Sequence, residues 1–198
     1  YCLAHRGTKV RKCHTSRRDA FRSVNARPLA KIYGCKKMEL LSDNFRPRDK
    51  HRKLRLIAKF DEKVALVKTF PGMKSDIIDC LIDLGYHGIV IEGTGLGHAP
   101  YTLLKSLKRA VDEGIPIVMT SQCIWGRINM NVYRRGVELL SIGVIPGEDM
   151  LPETALVKLM WVLAQTRDLD KVRALMLTNI AGEINPRTEP YSYPPMEV

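Results

Sequence analysis

From residue 63 onward the chain alternates two hydrophobic periods, and this alternation restricts the fold more than any other feature of the sequence. VALVKTF (64–70) is a short β-rich run closed by Pro71-Gly72. SDIIDCLIDLGY follows, with Ile77, Ile78, Leu81, Ile82 and Leu84 at helical spacing, Ser75 placed to cap the helix and Gly85 to stop it. GIVIEG (88–93) is an apolar run of the kind buried on both faces. YTLLKSLKRAVDEG is a second amphipathic helix with Leu103, Leu104, Leu107 and Val111 on one side, and IPIVMTSQ (115–122) is a third strand. Strands separated by helices of about a dozen residues pair in parallel, so the predicted fold class is α/β, an open parallel sheet of the flavodoxin or Rossmann-like type. Further helices are expected near RRGVELLSIG, through PETALVKLMWVLAQTRD with Pro152 in its first turn, and along DLDKVRALMLTNIAG. The proline-rich end, residues 184–198, has no periodicity and is predicted to be an extended tail.

The first sixty residues behave differently. KVRKCHTSRRDAFRSVNARPLA has little periodicity, and KKMELLSDNFRPRDKHRKLRLIAKF resembles a hairpin or linker feeding the α/β unit, which puts a boundary near residue 60. Charge divides at the same place. Residues 1–60 hold 18 Lys and Arg against 4 Asp and Glu, the remainder 14 against 17, so the first part is +14 and the second −3. A segment this basic attracts polyanions, and an RNA-binding module is one reading of it, although no recognised RNA-binding motif accompanies the charge. With 198 residues, the chain has room for one full domain and part of another. Its start at Tyr1, inside what reads as a strand or loop, suggests part of a longer protein.

Cys2, Cys13, Cys35, Cys80 and Cys123 are odd in number and lack C-x-x-C spacing, which indicates neither a disulfide framework nor a zinc site and fits a reducing cytoplasm. No apolar run approaches the ~18 residues of a membrane span, and the first residues lack the layout of a signal peptide.

Gly93-Thr94-Gly95-Leu96-Gly97-His98 follows a strand and precedes a helix, the place where backbone N–H groups can hold an anion. The spacing is not G-x-G-x-x-G, and no Gly-Lys-Ser/Thr follows, so neither a dinucleotide nor a P-loop site is expected. A loop at the carboxyl end of such a strand remains a favoured place for a ligand, with Glu92 and His98 as polar groups able to face a cleft. Taken alone, His98 reads more readily as a capping or surface histidine than as a cleft residue. Lys12, likewise taken alone, is one surface cation among many.

GIVIEGTGLGHAP (88–100), IPIVMTSQCIWGRINMNVY (115–133) and GVIPGEDMLPETALVKLMWVLAQT (143–166) together resemble the C-terminal domain of the L-asparaginase/glutaminase family. MTSQCIWGRINMNVY, LMLTNIAGEI (175–184) and RKCHTSRRDAFRSVNARPLA (11–30) bring the resemblance closest to the archaeal glutamyl-tRNA(Gln) amidotransferase D subunits, and it extends to about residue 189. It implies that residues 1–60 are the end of an N-terminal catalytic domain plus a linker, with 61–183 the smaller C-terminal α/β domain. It implies amide hydrolysis of asparagine or glutamine by a nucleophilic threonine, a Thr-Asp pair and a lysine. The family pattern K-x-x-T-x(5)-F is met by Lys12, Thr15 and Phe21, so Lys12 is the implied catalytic lysine, a proton-handling amine in the threonine-activation network. The threonine and the Thr-Asp pair have no counterpart here and are expected upstream of Tyr1, which implies a chain inactive by itself.

Asparaginases carry asparagine where this chain has His98, in a G-x-G-N loop that helps form the amino-acid pocket, usually lent to a neighbouring subunit. Gly97 and His98 are therefore the implied substrate-binding residues, and the loop is expected to be a pocket wall with no phosphate role. A glutamate that some secreted members supply from the region of Gly126–Val132 has no counterpart. The resemblance further implies a homodimer, glutamine as ammonia source, and a partner, the amidotransferase E subunit, that uses ATP and Mg²⁺ to amidate Glu-tRNA(Gln), with no cofactor bound by this chain itself. A stand-alone type I L-asparaginase is the alternative of the same descent.

Overall fold

The computed structural model describes residues 1–34, 37–190 and 193. The predicted alternation is present as a four-stranded parallel sheet: β6 (Val64–Lys68), β7 (Gly88–Gly93), β8 (Ile117–Ser121) and β9 (Ile145–Pro146), side by side in chain order. Register is continuous, with Val64 opposite Gly88, Ile89 opposite Ile117 and Val118 opposite Ile145. Between successive strands lie α1 (Asp76–Asp83), α2 (Leu104–Asp112), entered through a 3-10 turn at Tyr101–Leu103, and α3 (Arg134–Ser141). Two further helices, α4 (Pro152–Leu163) and α5 (Leu169–Leu177), follow the last strand.

Side chains of a strand alternate between faces, and here both faces are covered. Ile89, Ile91, Ile117 and Met119 pack with Ile78, Ile82, Leu107 and Leu139 of α1, α2 and α3. Val90, Val118 and Ile145 pack on the opposite side with Ala155, Leu159, Val162 and Val172 of α4 and α5. All six residues of β7 are buried, as expected of a central strand between two helical layers.

Some local details differ from expectation. Ser75 occupies the N-cap of α1, but its side chain makes no capping bond; its carbonyl receives the Ile78 and Asp79 N–H groups instead. Ile77 and Leu84 are exposed, so the buried stripe of α1 is narrower than its sequence suggests and rests on Ile78 and Ile82. The capping carboxylate stands at α5, where Asp168 accepts from the Lys171 N–H at 3.1 Å.

The first forty residues form two small antiparallel sheets. β1 (Cys2–Ala4), β4 (Ala30–Tyr33) and β5 (Lys37–Leu40) make one, in the order β1-β4-β5, and β2 (Val10–Lys12) pairs with β3 (Phe21–Ser23) in the other. Of the hairpin or linker expected over residues 36–60, only Lys37–Leu40 is a strand, and it pairs back with β4 rather than across Pro47. From Leu41 to Lys63 no strand or helix occurs, and residues 43–60 are all exposed. Residues 184–190 are irregular, with an Arg187–Glu189 ion pair. Residues 191, 192 and 194–198 of the expected tail, and Cys35, lie outside the described residues. Cys2, Cys13, Cys80 and Cys123 are free and exposed. Among the described residues no helix is long and apolar enough to cross a membrane, and no group of three or more His, Cys, Asp and Glu is placed to hold a metal ion.

Candidate active site

Lys12 ends β2, opposite Phe21 in β3, so the lysine and phenylalanine that stand nine apart in the sequence are cross-strand neighbours. The pairing is continued by the Cys13 N–H, which donates to the Ala20 carbonyl at 2.7 Å. Lys12 is exposed and lines a groove of about 760 Å³ between this β-ribbon and α4. Thr8 and Arg11 stand on the ribbon side with Lys12, Glu153, Val157 and Trp161 belong to the facing α4 wall, and Lys158 and Glu183 close the floor. Arg11 reaches Glu153 at 3.3 Å.

The floor is a buried ion pair, Lys158 Nζ to Glu183 Oε1 at 2.6 Å. Lys158 also donates to the carbonyls of Met176 and Thr178, while Glu183 accepts the N–H groups of Ile180 and Ala181 at 3.0 and 2.6 Å. Burial by itself would raise the Glu183 carboxyl; the Lys158 ammonium and the backbone N–H donors outweigh it and hold the group below the usual glutamate value. The pair ties α4 to the turn after α5 and so fixes the wall opposite Lys12.

A second buried charge anchors the ribbon itself. Lys9, three residues before Lys12, is 1% exposed and donates to the Asp149 carboxylate at 2.7 Å and the Asp149 carbonyl at 2.8 Å. Burial pulls its amine below the ordinary lysine value, and the Asp149 carboxylate opposes that pull. The same carboxylate accepts from the Asn185 N–H at 3.0 Å and Nδ2 at 2.7 Å, with Arg127 at 3.7 Å. Asn25, in the left-handed region at φ 55°, exchanges two bonds with the backbone of Gly126 through its side-chain amide. Residues from four distant stretches of chain thus meet in one polar knot directly behind the segment that carries Lys12. Lys9, Asn25, Asp149 and Asn185 do not stand out in the sequence as site residues. The motif around Lys12 contains Asn25, and GVIPGEDM contains Asp149, but burial of a lysine against a residue 140 positions away leaves no local pattern.

The glycine loop is at the carboxyl end of β7 and closes on itself. The Thr94 N–H donates to the His98 carbonyl at 2.9 Å, and the His98 and Gly97 N–H groups both donate to the Thr94 carbonyl at 3.0 Å. These donors are therefore engaged within the turn, which is unlike a phosphate cradle. A Cβ on Gly93 would lie 2.6 Å from the His98 carbonyl oxygen and 2.7 Å from the Met119 sulfur. Gly97, at φ 97°, packs where a Cβ would come within 3.1–3.2 Å of Met130, Ile128 and Met119. The glycines permit a close approach of the loop to β8 and the segment after it. His98 is half-buried; its ring stands 5.3 Å from the Tyr133 ring, and Nε2 is buried without a hydrogen-bond partner among the described residues. Glu92, a candidate for a cleft on sequence grounds, is buried and reaches Lys68 at 3.3 Å.

The groove lined by Lys12 includes neither Gly97 nor His98, so the described residues do not bring the candidate catalytic and binding groups into one pocket. Lys12 and the glycine loop form two separate walls.

Comparison with known proteins agrees with this architecture. Residues 63–176 match the family model described as Glutaminase/Asparaginase C-terminal domain, and residues 3–45 match Asparaginase, N-terminal. The glutamyl-tRNA(Gln) amidotransferase D subunit of Pyrococcus furiosus is 61% identical over 193 residues, covering 98% of this chain and 44% of that protein. The D subunit of Sulfolobus acidocaldarius is 56% identical over 186 residues, covering 93% and 41%. Among solved structures, the thermostable L-asparaginase from Thermococcus kodakarensis superposes with a TM-score of 0.82 at 34% identity, covering 90% of this chain and 54% of that one. L-asparaginase I from Vibrio cholerae gives a TM-score of 0.81 at 31% identity, with coverage of 91% and 55%. The chain thus spans less than half the length of the curated relatives it matches.

Proposed function

Because this chain belongs to the glutaminase/asparaginase family, we propose that it is part of the ammonia-releasing subunit of an amidotransferase that converts Glu-tRNA(Gln) to Gln-tRNA(Gln). The observation that carries this reading is the contrast in identity: 61% to an amidotransferase D subunit across 98% of the chain, against 34% to an L-asparaginase of nearly the same fold.

In this reading Lys12 handles the proton in the threonine-activation network, and its exposed place in the lining of the groove leaves it free to meet groups brought by another part of the protein. The hydroxyl that attacks the glutamine amide and the Thr-Asp pair are supplied from outside these 198 residues, so this chain alone does not turn over glutamine. Attack by that hydroxyl forms a glutamyl ester and releases ammonia, and water then resolves the ester. His98, with its buried Nε2 unpartnered among the described residues, and Gly97, which lets the loop pack tightly, shape the wall that receives the amino acid. Since the two walls are separate within one copy, a homodimer in which one copy's glycine loop faces the other's Lys12 fits the geometry. A second polypeptide, the amidotransferase E subunit, receives the ammonia and uses ATP and Mg²⁺ on Glu-tRNA(Gln), in the cytoplasm; this chain binds no cofactor of its own.

The test is an ammonia-release assay on the full-length D subunit with and without the E subunit and mischarged tRNA. Glutamine hydrolysis stimulated by both is the expected result. Brisk tRNA-independent hydrolysis of asparagine would instead support the second reading, a stand-alone type I L-asparaginase, which the TM-score of 0.82 to an L-asparaginase keeps in view.

A further inference from the structure

We propose that residues 46–59 form a strap that grips the phosphate backbone of tRNA, an interaction made by this chain directly rather than through its partner; the choice of RNA rests on the tRNA-dependent reading above. RPRDKHRKLRLIAK carries seven Lys and Arg against one Asp. The strap is pinned near its ends. Arg46 donates to the Ile180 carbonyl at 3.2 Å, Trp161 Nε1 donates to the Ile57 carbonyl at 3.1 Å, and the Asp61 N–H donates to the Met160 carbonyl at 2.9 Å. Between these anchors every residue from 47 to 60 is exposed and no helix or strand forms.

Cations without an ion-pair partner are densest in this stretch, although Lys12 and Arg18 also lack one among the described residues. Elsewhere in the first sixty residues Lys9 faces Asp149, Arg11 faces Glu153, Arg17 and Arg22 share Asp19, and Lys31 sits 4.0 Å above the Tyr1 ring. In the strap, none of Arg48, Lys50, Arg52, Lys53 and Arg55 has an ion-pair partner among the described residues. The one carboxylate, Asp49, accepts the His51 N–H at 2.8 Å and closes a local turn. Adjacent unpaired cations repel one another, keep a linker extended and raise the local potential for a polyanion. Arginine forks match phosphate oxygens two at a time, and the irregular backbone lets them follow a curved strand. Leu54 and Leu56 are also exposed, at 99% and 84%, and would anchor a protein partner. Residues 46–53, however, contain no apolar side chain except Pro47, so over half the strap can hold a partner only through charge.

The experiment uses the full-length D subunit, a fluorescent tRNA(Gln) transcript and anisotropy titrations at several salt concentrations. Two variants are compared with wild type: Arg52→Gln/Lys53→Gln/Arg55→Gln, and Leu54→Ser/Leu56→Ser. The charge variant is expected to bind at least ~10-fold more weakly at ~0.1 M salt, with the slope of log affinity against log salt reduced by about 2–3, at ~0.7–0.9 for each phosphate no longer neutralised. The leucine variant is expected to bind like wild type. An unchanged salt slope in the charge variant overturns the proposal, and so does a loss of binding confined to the leucine variant, which would mark an apolar protein surface. Ammonia release from glutamine is measured on the same D-subunit samples after addition of the E subunit and mischarged tRNA. If wild type releases none, the proposed function falls while the binding result still stands; if it does and the charge variant keeps the wild-type slope, the strap alone is refuted.

Discussion

Replacing Asp149 by asparagine removes the charge from the polar knot behind Lys12 while keeping its shape. The Lys9 ammonium, 1% exposed, then loses its counter-charge at 2.7 Å and keeps only neutral acceptors, the main-chain carbonyl at 2.8 Å and at most one amide oxygen. An ammonium left in a dry site without a counter-charge costs about 3–5 kcal/mol. For a protein of this size that corresponds to a fall in melting temperature of roughly 6–20 °C. The complementary change, Lys9→Met, is expected to cost less, ~1.5–3 kcal/mol, the range for loss of a charged hydrogen bond. Its carboxylate partner still accepts twice from Asn185, with Arg127 nearby, so the orphaned charge is partly satisfied. A surface control is available in Arg11–Glu153, whose side chains are 30% and 57% exposed and whose rupture by Arg11→Met should cost no more than about 1 kcal/mol. Urea unfolding of the purified protein, with midpoints and slopes fitted for all three variants, reads out the order Asp149→Asn, Lys9→Met, Arg11→Met. If Asp149→Asn costs no more than the surface control, the knot is not the anchor described here. Reversal of the first two would place the burden of burial on the carboxylate rather than on the amine.

His98→Ala in the full-length D subunit is expected to raise KM for glutamine ~3–10-fold, the loss of one neutral hydrogen bond, with kcat little changed; a fall in kcat at constant KM would speak against a binding role. Glu183 supplies a pH signature. Its folded-state pKa lies below the ordinary glutamate value of 4.5, so its contribution to stability is complete above that value and is lost as pH falls through the folded value. Thermal melts should therefore decline more steeply below about pH 4.5 in wild type than in Glu183→Gln, which is already destabilised at neutral pH; parallel pH profiles would contradict the assignment.

The parallel sheet and its helices were legible because their cues are local. β6 and β7 are apolar runs ended by glycine or proline signals, and α2 shows a clean stripe through Leu107. β9 escaped notice because it is two residues long and one of them is Pro146, which is too short for any period to register. Lys12 became a candidate only through the motif around it, since an exposed lysine in a basic segment has no local distinction. Lys9 shows the harder case. In the sequence it is one more cation of a strongly basic segment, and its burial is decided by Asp149 and Asn185, contributed from far along the chain. The glycine loop stands between these cases. Its place at a strand end and its departure from nucleotide spacing were visible, whereas the engagement of its N–H groups by Thr94 and His98 carbonyls depends on three-dimensional closure.

The most direct measurement for the proposed chemistry is the kcat/KM for glutamine of Lys12→Ala in the full-length D subunit, taken beside a melting curve. A fall of ~10²–10⁴-fold with the melting temperature unchanged is the predicted result, as for loss of a positioned proton-transfer group at a residue that is exposed in the fold described here. A variant that turns over glutamine within about threefold of wild type would contradict it.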